Sequence, residues 1–288
     1  MALEVIRTIQ EMQQVADAMR RAGRTISLVP TMGYLHDGHA SLIRRAVMAS
    51  DTVITSVFVN QLQFAPNEDF SRYPRDYERD YELIRKAGGN FLFFPDPADM
   101  YPEGFGTSVF VGKITRKFEG EYRPGHFEGV ATVVAKLLLA TKPHRAYFGQ
   151  KDYQQTLVVR RLVRDLNMDI MIETVPTIRE RDGLAMSSRN VYLSDEQRIQ
   201  STILYQALSA GLEQLQQGNY NRQQINDAMH QVLQGMPQFQ VQYCVAAQAE
   251  TLEEPDIFTP DQSIVLLAAG YLGTTRLIDN MIWLPQAE

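Results

Sequence analysis

The chain lacks most of the features that would place it in a membrane, outside the cell or on a nucleic acid. Its 288 residues include a single cysteine, Cys244, so no internal disulfide can form. Cys244 lies in the strand-like run Val241-Gln242-Tyr243-Cys244-Val245 and reads as a packing residue rather than a reactive thiol. No run of about 20 apolar residues is present, which argues against a transmembrane helix. The N-terminal Met1-Ala2-Leu3-Glu4-Val5-Ile6 lacks the charged-then-apolar layout of a secretory signal. Excess positive charge is missing as well: 28 basic residues against 34 acidic ones leave −6, with both signs spread along the chain. Without a basic face, a nucleic-acid partner is disfavoured. There is no internal repeat. These absences predict a cytoplasmic protein acting on small molecules, with no membrane and no nucleic-acid partner.

What is present is core-forming material, with 44% hydrophobic residues in a length that suits two domains. The first half alternates strand and helix. Thr25–Val29 and Thr52–Val59 are apolar, β-branched runs of the kind buried on both faces of a parallel sheet. Phe91–Phe94, Arg145–Phe148 and Ile170–Val175 continue the series, and Val109–Val111 reads as one more short strand. Helices are predicted over Met12–Ala22, about 39–49, Asp76–Ala87, Val130–Thr141 and Tyr153–Leu166. This alternation predicts an α/β, doubly wound, Rossmann-like parallel sheet over residues 1–178. From 179 to 288 the composition changes. Ser194–Leu233 is helical, rich in Gln, broken at Gly218-Asn219 and opened by the cap-like Ser194-Asp195-Glu196-Gln197. Three strand-like runs follow, Phe239–Ala246, Ser263–Ala269 and Thr275–Trp283. They predict a smaller α+β domain with an antiparallel sheet, serving as a lid.

The segment His36-Asp37-Gly38-His39 joins a predicted strand to a predicted helix. Helix-end N–H groups and the helix dipole favour anions there, and two imidazoles add donors that can follow charge developing on phosphate oxygens. Zinc is a weaker alternative, because the further Cys or His ligands of a metal site are not nearby. Four other segments also lie just past strands or in loops, where ligands of doubly wound folds bind. Asn60 and Gln63 offer amides suited to a substrate carrying hydroxyls and a carboxylate. In Gly149-Gln150-Lys151-Asp152, the glycine permits close approach and Lys151 supplies a charge for phosphate. Asp152 either caps the helix that follows or accepts from ribose hydroxyls, and Gln155 lies one turn further on. Met186-Ser187-Ser188-Arg189-Asn190 puts two hydroxyls and a guanidinium in a compact anion clamp. The Gly-rich loop Glu119–Val130 reads as a lid or positioning loop, and its His126 as structural.

Taken in order, these pieces resemble the pantoate–β-alanine ligase family. The resemblance rests on Val29-Pro30-Thr31-Met32-Gly33 with His36–His39, Val57-Phe58-Val59-Asn60 with Gln63-Phe64, and Tyr73-Pro74-Arg75-Asp76. It continues through Phe118-Glu119-Gly120 with Arg123–Val130, Phe148–Asp152, Met186–Asn190 and Thr275-Arg276-Leu277-Ile278-Asp279-Asn280. The His-Asp-Gly-His and Met-Ser-Ser-Arg pieces are also similar to paired signatures of class I aminoacyl-tRNA synthetases. Two positions depart from the family pattern: Gln61 stands where Pro is usual, and Gln150 where Glu is usual.

The resemblance implies an ATP-dependent ligase joining pantoate to β-alanine through a pantoyl adenylate, with Mg²⁺ arriving on ATP and a homodimer formed through the N-terminal domains. It implies catalytic roles for His36, His39 and Lys151. The nucleotide would lie along Met32, Gly33, Tyr34, Leu35, His36, Asp37, Gly38 and His39, along Gly149, Gln150, Lys151 and Asp152, and along Ile178, Met186, Ser187, Ser188 and Arg189. Pantoate and β-alanine would meet Gln63 and Gln155, with Asn60 in support, and Asp80 is an outer-shell candidate for Mg²⁺. Alternatives are another adenylyl-transferring enzyme of the same superfamily, a tRNA synthetase fragment, and a nucleotide sensor without catalysis.

Overall fold

The computed structural model describes residues 3–66 and 68–285. The chain divides into two compact units. One runs to Gln150 and resumes over Gln154–Ile178; the other comprises Lys151–Tyr153 and the chain from Arg179.

In the first unit the β-branched and aromatic runs form six parallel strands: β1 (Glu4–Ile6), β2 (Ile26–Thr31), β3 (Thr52–Val57), β4 (Phe91–Phe93), β5 (Arg145–Gly149) and β6 (Met171–Val175). Their order is β1-β4-β3-β2-β5-β6, the doubly wound parallel sheet expected from the alternation. The order reverses between β2 and β5, and in such sheets the crevice beyond the carboxyl ends at the reversal is where ligands bind. The helices of the first half are α1 (Ile9–Arg21), α2 (Asp37–Ala49), α3 (Tyr77–Ala87), the short α4 (Pro97–Met100) and α5 (Glu119–Tyr122), α6 (His126–Thr141) and α7 (Tyr153–Asp165). Helix α6 is buried almost all round, so its apolar run has no polar face to expose.

Several boundaries differ from the sequence reading for local reasons. Helix α1 starts at Ile9 because the Thr8 hydroxyl accepts from the Glu11 N–H. Helix α2 starts at Asp37, two residues early, because His36 is its N-cap. Val109–Val111 is not a strand: the Val109 N–H donates to the Thr132 hydroxyl at 2.9 Å, and the Thr115 hydroxyl donates to the Val111 carbonyl at 2.6 Å. Strand β1, too short to show a period, exists through its pairing with β4.

The second unit contains α8 (Asp195–Gln200), α9 (Ile203–Gln216), α10 (Arg222–Gln234) and an antiparallel sheet, β7 (Phe239–Gln248), β8 (Ile264–Leu272) and β9 (Thr275–Trp283), in the order β7-β8-β9. Ser194 and Gln197 form the expected reciprocal cap of α8, worth about 1 kcal/mol. Leu204, Leu208, Ile225 and Met229 from the helices pack with Leu266 and Ala268 of β8. Truncating one of the larger of these to Ala costs about 2–5 kcal/mol. Cys244 is buried in the same core, and burial pushes its thiol up to about 12, which leaves it inert.

Candidate functional site

Strand β2 delivers the chain into a left-handed turn, Gly33 at φ 86° and Tyr34 at φ 49°. A Cβ on residue 33 would sit 3.0 Å from both Asp80 and Val57, so glycine is required for conformation and space alike. Asp80 of α3 fastens the turn. Its carboxylate accepts from the Tyr34 N–H at 2.9 Å and the Leu35 N–H at 2.6 Å. Burial raises this carboxyl above its ordinary range, against the pull of those two N–H groups. Asp80 is therefore an internal anchor, which corrects its reading as an outer-shell partner for Mg²⁺. Leu35 is wholly buried with its N–H engaged, so it contributes packing rather than a side-chain contact.

The anchored turn sets His36 and His39 at the start of α2. The His36 Nδ1 accepts from the Gly38 N–H at 3.1 Å, and the His39 Nδ1 accepts from the His36 N–H at 3.3 Å. The two rings lie 4.1 Å apart between centroids. Because both Nδ1 atoms accept, the proton of each neutral ring belongs on Nε2. Both histidines are half-buried, and Asp37 is exposed.

Strand β3 ends in a one-turn 3-10 helix, Gln61–Gln63, that presents Gln63. Asn60 has no amide capacity left: its Nδ2 donates to Gln63 Oε1 and to the Gly129 carbonyl, both at 3.1 Å. Its Oδ1 accepts from the Tyr101 hydroxyl at 2.7 Å and the Leu62 N–H at 3.4 Å. Asn60 is thus a support for Gln63 rather than a contacting group. Among the described residues the Gln63 amide nitrogen meets only the weak Met32 sulfur, at 3.0 Å, and so keeps donor capacity. Helix α6 packs directly under this turn. A Cβ at Gly129 would lie 2.3 Å from the Leu62 carbonyl oxygen.

His126, at the start of α6, completes the support. Its Nδ1 faces the Gln63 carbonyl at 2.9 Å and its Nε2 faces the Arg123 guanidinium at 3.1 Å. A carbonyl and a guanidinium on opposite sides fix the neutral ring with its proton on Nδ1. Burial, helped by the Arg123 charge, lowers its pKa to about 4. Arg123 is in turn clamped by both Glu68 carboxylate oxygens, at 2.6 and 2.9 Å. Burial works to raise Glu68, but Arg123 outweighs it and leaves the carboxyl below its ordinary range. The Gly-rich loop therefore holds a buried charge network whose end points at the Gln63 turn. Sequence alone marks His126 as structural and shows no role for Glu68 or Arg123.

Strand β5 ends at Gly149, where a Cβ would meet nothing within 4 Å. Beyond it, Gln154 and Gln155 contrast. Gln154 is buried, donating to the Ile114 and Lys117 carbonyls and accepting from the Glu119 N–H. Gln155 is half-buried and makes no hydrogen bond among the described residues. Ile178, half-buried, closes the first unit after β6.

The second unit holds the remaining candidates. Lys151 is half-buried and its ammonium has no hydrogen-bond or ion-pair partner among the described residues. Asp152 is exposed and likewise unpaired, so it does not act as a helix cap. The Tyr153 hydroxyl donates to the Ala249 carbonyl at 2.7 Å, tethering this stretch to the unit. Met186 and Ser187 are half-buried and Ser188 is buried. The Ser187 hydroxyl accepts from the Arg189 N–H at 3.3 Å, and the Asn190 amide donates to the Ala185 carbonyl at 3.1 Å. These bonds shape the clamp into a 3-10 turn, Ser188–Tyr192. Among the described residues no group of three or more His, Cys, Asp or Glu side chains is placed to hold a metal ion, and no helix is long and apolar enough to cross a membrane.

The sequence family described as pantoate-beta-alanine ligase matches residues 4–282. A pantothenate synthetase of Roseiflexus castenholzii is 50% identical over 97% of this chain and 99% of its own, and one of Caldicellulosiruptor bescii is 47% identical over 96% and 98%. The crystal structure of pantothenate synthetase from Thermus thermophilus superposes with a TM-score of 0.91 at 47% identity, covering 97% of this chain and 99% of that one. The pantoate-beta-alanine ligase of Francisella tularensis, complexed with beta-gamma ATP and beta-alanine, superposes at 0.76 with 32% identity, covering 98% of both chains.

Proposed function

The chain belongs to the pantoate–β-alanine ligase family, and from that membership we infer its chemistry: ATP-dependent condensation of pantoate with β-alanine to pantothenate. The reaction proceeds in two steps. A pantoate carboxylate oxygen attacks the α-phosphorus of ATP in line, the bond to the bridging oxygen breaks, and pyrophosphate leaves with its electron pair, giving pantoyl adenylate. The neutral amine of β-alanine then adds to the acyl carbon, AMP departs, and the amine loses a proton as the amide forms. Neither step calls for a protein nucleophile. Both call for positioning and for neutralising phosphate charge.

The observation that carries this reading is the paired capping of His36 and His39, which leaves each Nε2–H as the donor of its ring. We assign the two donors to the triphosphate, with His39 stabilising charge on departing pyrophosphate. Lys151 adds a mobile positive charge for phosphate oxygens. Met32, Gly33, Tyr34, Asp37 and Gly38 flank the nucleotide through their turn, and Gly149, Gln150 and Asp152 serve the ribose side. Ile178 offers backbone to adenine, while Met186, Ser187, Ser188 and Arg189 clamp it and the phosphates. The donor amide of Gln63 and the unpaired amide of Gln155 take pantoate's hydroxyls and carboxylate. Magnesium comes with ATP, on phosphate oxygens and water. We assign the enzyme to the cytoplasm. We also assign it a homodimer through the first unit, where Phe110 and Leu139 are exposed apolar side chains.

Isotope exchange tests the two-step reading. Labelled pyrophosphate is expected to enter ATP in the presence of pantoate and Mg²⁺ without β-alanine. Exchange that needs β-alanine, or that runs without pantoate, overturns the adenylate intermediate.

A further inference from the structure

The piece Asp279-Asn280 at the end of the last motif has no role in the chemistry above, yet it is among the most heavily bonded in the second unit. Asp279 is 5% exposed, and both its oxygens accept from the Arg179 guanidinium, at 2.6 and 2.9 Å. Asn280 lies on β9, an edge strand, and its two backbone groups turn to the same pair. Its N–H donates to Asp279 Oδ1 at 2.7 Å, and its carbonyl accepts from Arg179 at 3.1 Å. Its side-chain amide then donates to the backbone carbonyl of Lys151, at 2.9 Å and 129 positions away in sequence.

Arg179 also reaches the other nucleotide segment of the unit. It opens the tight hairpin Arg179–Ala185, closed by the Glu180 N–H on the Leu184 carbonyl at 2.8 Å. The guanidinium donates to the Gly183 carbonyl at 2.9 Å, and the Tyr205 ring covers both Gly183 and the guanidinium, 5.0 Å from its carbon. Met186–Arg189 follows this hairpin directly, and Asn190 ties it back to Ala185.

We propose that Asn280 is a positioning residue for Lys151, and that the Arg179–Asp279 pair holds both Asn280 and the hairpin root of Met186–Arg189. One buried ion pair then sets the phosphate lysine and the anion clamp in a fixed relation within the second unit. The proposal rests on the reading of Lys151 and Met186–Arg189 as ATP-binding groups. A buried ion pair by itself is weak grounds for a special role. Here the geometry adds that the Asn280 amide bonds the carbonyl of the very residue whose side chain carries the charge. A lysine stem is long and flexible, so the place of its ammonium depends on how firmly its backbone is held.

Two readouts on the full-length enzyme test this. Hydrogen–deuterium exchange of Asn280→Ala and of the isosteric Asn280→Asp is expected to rise over residues 150–154 while the rest of the second unit keeps its protection. Unchanged exchange in that stretch, or unfolding of the whole unit by both variants, overturns the anchor. In pyrophosphate exchange, Asn280→Ala is expected to lower turnover about tenfold, and to lower it no further once Lys151→Ala is present. Such non-additivity marks residues acting through one another. An equal fold-loss with and without Lys151, or full activity in Asn280→Ala, overturns the link to Lys151. If the wild-type enzyme shows no pantoate-dependent exchange, the functional reading falls instead, and the deuterium measurement alone decides the anchor.

Discussion

Gln63 and Lys151 serve the same proposed reaction and are held in opposite ways. At Gln63 the side chain itself is fixed. Asn60 bonds its amide oxygen, His126 bonds its backbone carbonyl, and helix α6 presses on the turn through Gly129. At Lys151 the backbone is held by Asn280, while the ammonium makes no hydrogen bond or ion pair among the described residues and acts on Asp279 only through its charge. The difference follows the ligands. An uncharged hydroxyl is recognised by direction, so its partner must be rigid and dry. A phosphate is recognised largely by charge, which a mobile cation meets over a range of positions.

The largest expected effect breaks the rigid side of this contrast. Gly129→Ala would drive a Cβ into the Leu62 carbonyl, where 2.3 Å is available. Overpacking of this kind costs about 1–3 kcal/mol, and displacing Gln63 by even an ångström is expected to lower kcat/KM for pantoate about 10²-fold or more. Steady-state kinetics with pantoate varied, alongside thermal unfolding, checks both. Unchanged pantoate kinetics would mean that the close approach of α6 is not what places Gln63.

A comparably sized test compares the charge-bearing groups of the two units. His39→Ala and Lys151→Ala are each expected to cut turnover about 10²-fold, with the fold intact by circular dichroism. Near-normal turnover in either variant removes that residue from the site.

The smallest effect sharpens the account of His126. Its pKa in the folded protein, about 4, lies below the ordinary 6.5 because burial disfavours the charged ring. Between those values the unfolded chain binds the proton that the folded one refuses. Stability from the neutral ring is therefore complete above pH 6.5 and is lost as pH falls toward 4. The loss is about 3 kcal/mol across that window. His126→Gln keeps an amide donor for the Gln63 carbonyl and removes the titration. Its denaturation midpoint is expected to be flatter with pH over the same range. An unchanged pH profile would show that His126 does not carry the acid sensitivity.

Much of this was legible in sequence. The doubly wound sheet followed from β-branched runs and helical periods, because buried parallel strands leave that mark directly. The histidine pair, the Gln63 loop, Lys151 and the serine–arginine clamp could be proposed from sequence because each sits in a short contiguous segment. Supports were harder to read. Asp80 looked like a metal partner because nothing local shows that its oxygens face the Tyr34 and Leu35 N–H groups. Glu68 and Arg123 carried no period or spacing. How fully the Asn60 amide is engaged shows only in the packed turn.

The sequence by itself determined which chemical groups the protein carries and on which strand ends and turns they lie, since local hydrogen bonding and side-chain burial follow the order of residues. Tertiary structure alone decided which of those groups remain available. Gln63 keeps a donor because Asn60 takes its acceptor. The Lys151 backbone is held in place because a strand more than a hundred residues later meets its carbonyl. A residue's hydrogen-bonding capacity is written in its side chain, but how much of it is already used depends on partners that only folding brings within about 3 Å.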